Sequence, residues 1–144
     1  MIRVYHATKP TWGFGTHPTF PHEFAHVATV DVPDDLHHEV FLLTNSINCG
    51  WWENEEVTAH TDASTFREID GIKGTRSTSV GDIILLADGR VLRCANCGWD
   101  DITDVVSDFW LDEIADHIRS EAARLLAADP ETAAALAALK EGHR

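Results

Sequence analysis

At 144 residues the chain is long enough for one domain and too short for two of ordinary size. An apolar fraction of 44% is that of an ordinary globular chain and argues against general disorder. With 24 acidic residues against 11 basic ones, the net charge of -13 excludes a broad basic surface for nucleic-acid backbone or anionic lipid.

In chain order, residues 2–6 alternate apolar and polar side chains, with β-branched and aromatic members, and predict a first strand. Residues 8–21 hold Pro10, Gly13, Gly15, Pro18 and Pro21 and predict a loop, because proline and glycine interrupt helix and strand alike. Its rings, Trp12, Phe14 and Phe20, either tuck over a core edge or form a recognition surface. Residues 24–32 alternate again, with Phe24, His26, Ala28, Val30 and Val32 in phase, and predict a second strand. Pro33-Asp34-Asp35 suits a helix start, and Leu36, Val40, Leu43 and Ile47 follow at spacings of four, three and four. That stripe predicts a helix over 33–46, ended by Asn48-Cys49-Gly50.

Residues 51–57 read as a loop in which the adjacent Trp51 and Trp52 cannot share one face, so one belongs to the core and the other to a surface. A short strand is predicted within 65–69. The clearest local signal is a hairpin over 80–94, where Asp88-Gly89 separates Ile83-Ile84-Leu85-Leu86 from Val91-Leu92-Arg93-Cys94. Beyond Trp99 the pattern turns helical: Leu111, Ile114, Ile118, Ala122 and Leu125 form a stripe, with Thr103 or Ser107 as its cap. Asp129-Pro130-Glu131 starts a second helix that Gly142 stops. The predicted fold class is α+β. A small antiparallel sheet or partial barrel with one packed helix occupies 1–101, and an acidic extension of two helices occupies 102–144.

The longest aliphatic run, residues 83–87, is far short of the roughly 20 residues of a membrane span, and residues 1–6 lack the apolar stretch of a signal peptide. Three cysteines, Cys49, Cys94 and Cys97, are an odd number and read as reduced thiols. A soluble protein of the host cytoplasm is the expectation. Charge is uneven: residues 31–70 carry ten acids and one base, residues 99–144 eleven acids and four bases, and residues 71–98 between them four bases and two acids. The acids either solvate exposed faces or present an acidic surface to a basic partner.

Three motifs invite chemistry. His22-Glu23-Phe24-Ala25-His26 matches the zinc-hydrolase pattern H-E-x-x-H, which works on a helix, where both imidazoles share a face. Here it lies in a predicted strand, which sets the two imidazoles roughly 13 Å apart, so ordinary polar residues are the preferred reading. Cys94-Ala95-Asn96-Cys97 matches C-x-x-C, but a structural zinc site needs two more ligands, for which Cys49 and a histidine such as His60 are the candidates. Small thiols at a strand end are the simpler reading. Residues 76–82, Arg76-Ser77-Thr78-Ser79-Val80-Gly81-Asp82, form either an anion-holding loop or a hydrogen-bonded turn that positions the hairpin.

The segments 20–30, 41–48 and 51–54, then Arg76-Ser77-Thr78-Ser79-Val80-Gly81-Asp82, Asp88-Gly89 and Gly98-Trp99, resemble small proteins of actinobacterial phages and plasmids. That group is similar to the YodL-like domain of polyvalent proteins of mobile elements, and the likeness covers about residues 20–99. The resemblance implies a phage or plasmid accessory role beside host-defence or DNA-transfer functions, and it implies no catalytic mechanism.

The leading expectation is therefore a non-enzymatic accessory protein that binds a host or phage protein, with Trp51, Trp52, Arg76, Ser77, Thr78 and Trp99 as binding residues and with no catalytic residue, metal or cofactor. One alternative is an acidic DNA mimic that occupies the nucleic-acid channel of a defence complex. The other is a zinc-dependent hydrolase using His22, Glu23 and His26.

Overall fold

The computed structural model describes residues 1–47, 49–106 and 111–141. Asn48, Ser107 and Gly142, assigned above to helix ends, lie outside the described residues. The fold is α+β. Six strands form an antiparallel sheet in the order β3-β2-β1-β6-β7-β8: β1 (Ile2–Ala7), β2 (Phe24–Val30), β3 (Val57–Ala59), β6 (Ile83–Leu85), β7 (Val91–Cys94) and β8 (Trp99–Asp101). Two further strands, β4 (Arg67–Ile69) and β5 (Ile72–Gly74), form a separate two-stranded sheet. Helices α2 (Leu111–Ala128) and α3 (Pro130–Glu141) close the chain. Among the described residues no helix is long and apolar enough to cross a membrane.

Strand β1 is central and almost wholly buried, as its β-branched and aromatic content requires. Its register with β2 shifts between Val4, opposite Ala28, and Tyr5, opposite His26. Val27 is therefore a bulge residue, and this lets the consecutive Val27 and Ala28 both bury, which strict alternation forbids. The alternation of β6 and β7 divides the interior in two: Ile84 and Leu92 join a core around Val4, Val30 and Trp51, while Ile83, Leu85 and Val91 join Tyr5, Phe20 and Ile102 in a second cluster.

The Asp88-Gly89 hairpin forms, with a turn longer than two residues. Gly89 N donates to Leu86 O, Leu86 N donates to Arg90 O, and Gly89 alone of the pair takes positive φ, at 91°. Glycine is required there for that φ and for space, because a Cβ would stand 3.1 Å from Ile114 Cγ2 and 3.2 Å from Ile118 Cδ1 of α2.

The predicted helix over 33–46 is corrected to a 3-10 turn, Asp34–Leu36, and a five-residue helix α1, Glu39–Leu43. Side chains compete for the groups a longer helix would use. The Asp34 carboxylate accepts Ala87 N at 2.9 Å and Asp88 N at 3.0 Å instead of capping its own turn. Asn54 Nδ2 donates to Leu43 O, and Thr44 Oγ1 donates to Val40 O at 2.7 Å. Of the stripe, Val40 is buried and Leu43 partly so, while Ile47 is 80% exposed.

At the C-terminus, Asp129 caps α3 through Thr132 N at 3.3 Å, with Pro130 in the first turn as its spacing predicts. Helix α2 follows its predicted stripe only in part. Ile114 packs on the second cluster, but the buried positions are His117 and Glu121. The Met1 amine donates to Glu121 at 2.9 Å, and Arg3 reaches Asp116 at 3.2 Å and Glu113 at 3.5 Å.

Candidate functional site

Where β1 ends, the chain is clasped by a buried ion pair. The Asp82 carboxylate, 1% exposed, accepts both Arg76 nitrogens, Nη2 at 2.7 Å. It also accepts Ala7 N at 2.9 Å and Ser79 N at 2.8 Å, and Arg76 Nη2 donates to Ala7 O at 3.1 Å. The outer face of the guanidinium lies 5.5 Å from the Trp12 ring centroid, a cation–π distance. Both terminal nitrogens of Arg76 are thus engaged, and residues 76–82 form a hydrogen-bonded strap that fixes the end of β1 to the start of β6.

Behind the strap, His6 Nε2 lies 2.9 Å from Thr78 Oγ1, which lies 2.7 Å from Thr44 Oγ1. Burial pushes the His6 pKa down to about 4, against the opposing pull of the Asp82 carboxylate 3.9 Å away. Trp51 has no exposed surface, and its Nε1 donates to Arg76 O at 3.1 Å.

In front of the strap opens a cleft of about 750 Å³, between Thr8 and Pro10 on one side and the β4–β5 hairpin on the other. The hairpin turns on Asp70 and Gly71, both at positive φ (54° and 79°), so that Ile69 pairs with Ile72 across a two-residue loop. The register puts Arg67, Ile69, Ile72 and Gly74 on the face that lines the cleft, and Glu68 and Lys73 on the other. Ile69 and Ile72 are 72% and 68% exposed. The floor is the Trp52 indole, clamped between glycine backbones: a Cβ on Gly74 would stand 2.7 Å from its Cη2, and one on Gly50 2.3 Å from its Cε2. Among the described residues no acid lies within ion-pair distance of Arg67. Among the described residues the Thr65 and Thr75 hydroxyls in the cleft wall have no hydrogen-bond partner.

Of the six expected binding residues, Trp52 and Arg76 line this cleft. Trp51 and Thr78 are buried and offer no surface as folded. Ser77 Oγ accepts Ser46 N at 2.9 Å within the strap, and Trp99 packs against the core from edge strand β8, outside the cleft. The cleft residues missing from that set, Arg67, Ile69 and Ile72, had a signal: Asp70-Gly71 between two β-type triplets is the same cue that marks Asp88-Gly89.

The H-E-x-x-H residues are not on a helix. His26 sits in β2, stacked on Tyr5 at 5.0 Å and 4.3 Å from the His60 ring, while His22 and Glu23 precede the strand and are exposed. Burial and the neighbouring His60 push the His26 pKa down to about 3. The C-x-x-C residues span the β7–β8 turn: Cys94 is buried opposite Trp99, its pKa pushed up to about 11 by burial, and Cys97 is exposed. Among the described residues no three His, Cys, Asp or Glu side chains group as metal ligands.

Comparison with protein-family models, with curated proteins and with solved structures gives no match.

Proposed function

We propose that this chain is a binding protein, an accessory factor of a phage or plasmid that engages a host or phage protein through the cleft between Trp52 and the β4–β5 hairpin. The observation that carries this reading is the paired exposure of Ile69 and Ile72 on the hairpin face that lines the cleft. A folded chain that leaves two isoleucines and an indole around an open cleft of this volume has the composition of a recognition site. The groups facing it suit holding a partner: apolar side chains, threonine hydroxyls and the guanidinium of Arg67. The occupant that fits is an extended segment of a partner protein, with an apolar side chain for the Trp52 floor and a carboxylate for Arg67. The resemblance of residues 76–82 and 88–89 to proteins of mobile elements supports the accessory role.

The test is affinity capture from host lysates with and without phage, followed by titration of the captured protein. Ile69→Glu with Ile72→Glu changes only exposed side chains, so folding is preserved and the dissociation constant rises at least about tenfold, since two desolvated apolar contacts are lost. Ile47→Glu, equally exposed and outside the cleft, leaves it unchanged. Equal affinity in all three proteins refutes the assignment. Affinity that collapses with added salt, rather than falling little, favours the acidic DNA mimic instead.

A further inference from the structure

Helix α2 docks through Ile114 and two buried polar side chains and leaves most of an apolar stripe exposed. Inward lie His117 and Glu121, 1% and 8% exposed. Exposed on the helix are Leu111, Ala115, Ala122 and Leu125, with Leu111 at 57% and Leu125 at 58%, and between them Ile118, 42% exposed, which rests one edge on Gly89 of the hairpin. Their spacings of four, three, four and three are those of a helix that meets another helix along one seam. Large and small residues alternate along it, so a second such stripe can interdigitate, large against small.

The charges select the occupant. Asp112, Glu113 and Asp116 lie in the first two turns of α2, followed by Arg119, by Glu121, which the Met1 amine holds, and by Arg124. Neither Asp112 nor Arg119 has an ion-pair partner among the described residues. We propose that α2 pairs antiparallel with α2 of a second copy of this chain. With the two-fold axis between Asp116 and His117, Leu111 meets Ala122 of the second copy, Ala115 meets Ile118, and along one flank Asp112 of each copy lies beside Arg119 of the other. An isologous contact of this kind is closed and self-complementary. A parallel pair would instead set the acidic first turns side by side and stack alanine on alanine. The antiparallel pair also opposes the two helix dipoles. It uses no residue of the cleft, so it goes beyond the binding reading and stands or falls separately.

The experiment is sedimentation velocity on the full chain from micromolar to millimolar concentration. The expected result is a reversible monomer–dimer equilibrium that Ala122→Glu abolishes while circular dichroism and the thermal midpoint are kept. Asp112→Arg alone and Arg119→Asp alone each weaken the dimer about tenfold, because each creates two like-charge pairs across the axis. The two substitutions together restore it, and only residues adjacent across the interface can show that rescue. A wild-type chain that is monomeric at every concentration overturns the proposal and leaves the stripe to a helix of another protein. A dimer that survives Ala122→Glu, or one that the double reversal does not rescue, overturns it equally.

Discussion

Removing the Asp82 carboxylate tests whether the strap is what holds the end of β1. Asp82→Ala deletes the acceptor for both Arg76 nitrogens, Ala7 N and Ser79 N. Ala7 is 3% exposed, so its N–H loses its partner with little access to water. Breaking a buried ion pair by removing one member costs about 3–5 kcal/mol, and a stranded backbone donor about 1–3 kcal/mol. Two features reduce the sum. The Arg76 side chain is 21% exposed and can rehydrate, and its bonds to Ala7 O, Ser77 O and Ser79 Oγ remain. The expected loss is about 3 kcal/mol, or roughly 10 °C in the thermal midpoint for a chain of this size. Asp88→Ala is the matched control. It also removes one aspartate from an arginine, Arg90 at 2.8 Å, but both side chains are 46% exposed, and such pairs contribute about 0.2–1 kcal/mol. Urea unfolding followed by tryptophan emission measures both. If the two substitutions cost the same within about 0.5 kcal/mol, burial is not what makes the Asp82 pair matter and the argument fails.

Acid should loosen the fold well above the carboxylate range. Burial pushes His26 down to about 3, and His6 and His117 to about 4, from an ordinary value of 6.5. The unfolded chain therefore binds protons that the folded one refuses. Stability is fully present above pH 6.5, falls as the pH drops toward about 4 at no more than about 1.4 kcal/mol per pH unit per histidine, and levels off once the folded imidazoles protonate. Urea midpoints that stay constant between about pH 7 and pH 5 would contradict this. Gly74→Ala probes the floor of the cleft: its Cβ would stand 2.7 Å from Trp52 Cη2 and 3.0 Å from Cζ2, so the indole must move. The expected outcome is a red-shifted emission and a loss of about 1–3 kcal/mol, and an unchanged spectrum would show that the clamp is loose.

Much of the sheet was legible locally. The alternation at 2–6, the Asp88-Gly89 turn and the Asp129-Pro130 helix start each carry their own physical cause within a few residues, and each forms near the expected place. The helix over 33–46 did not form as predicted because its competitors, the backbone of Ala87 and Asp88 and the amide of Asn54, are distant in sequence. The cleft was half legible. Trp52 and Arg76 were picked out as conspicuous side chains, whereas Ile69 and Ile72 were passed over although Asp70-Gly71 announced their turn.

The sequence by itself determined the α+β class, the central strand, the principal hairpin and the two C-terminal helices, because turn chemistry and periodicity act over short separations. Only the tertiary structure decided which tryptophan is core. Trp51 and Trp52 are chemically alike neighbours, and what separates them is Gly74 against the one and the Arg76 carbonyl on the other, both brought in from elsewhere in the chain. Only the tertiary structure, too, turned α2 so that His117 and Glu121 face inward. The Met1 amine holds Glu121 and Arg3 holds Asp116, from the opposite end of the chain. A pattern read along one helix records its apolar stripe, and which face of the helix is buried is set by contacts more than a hundred residues apart.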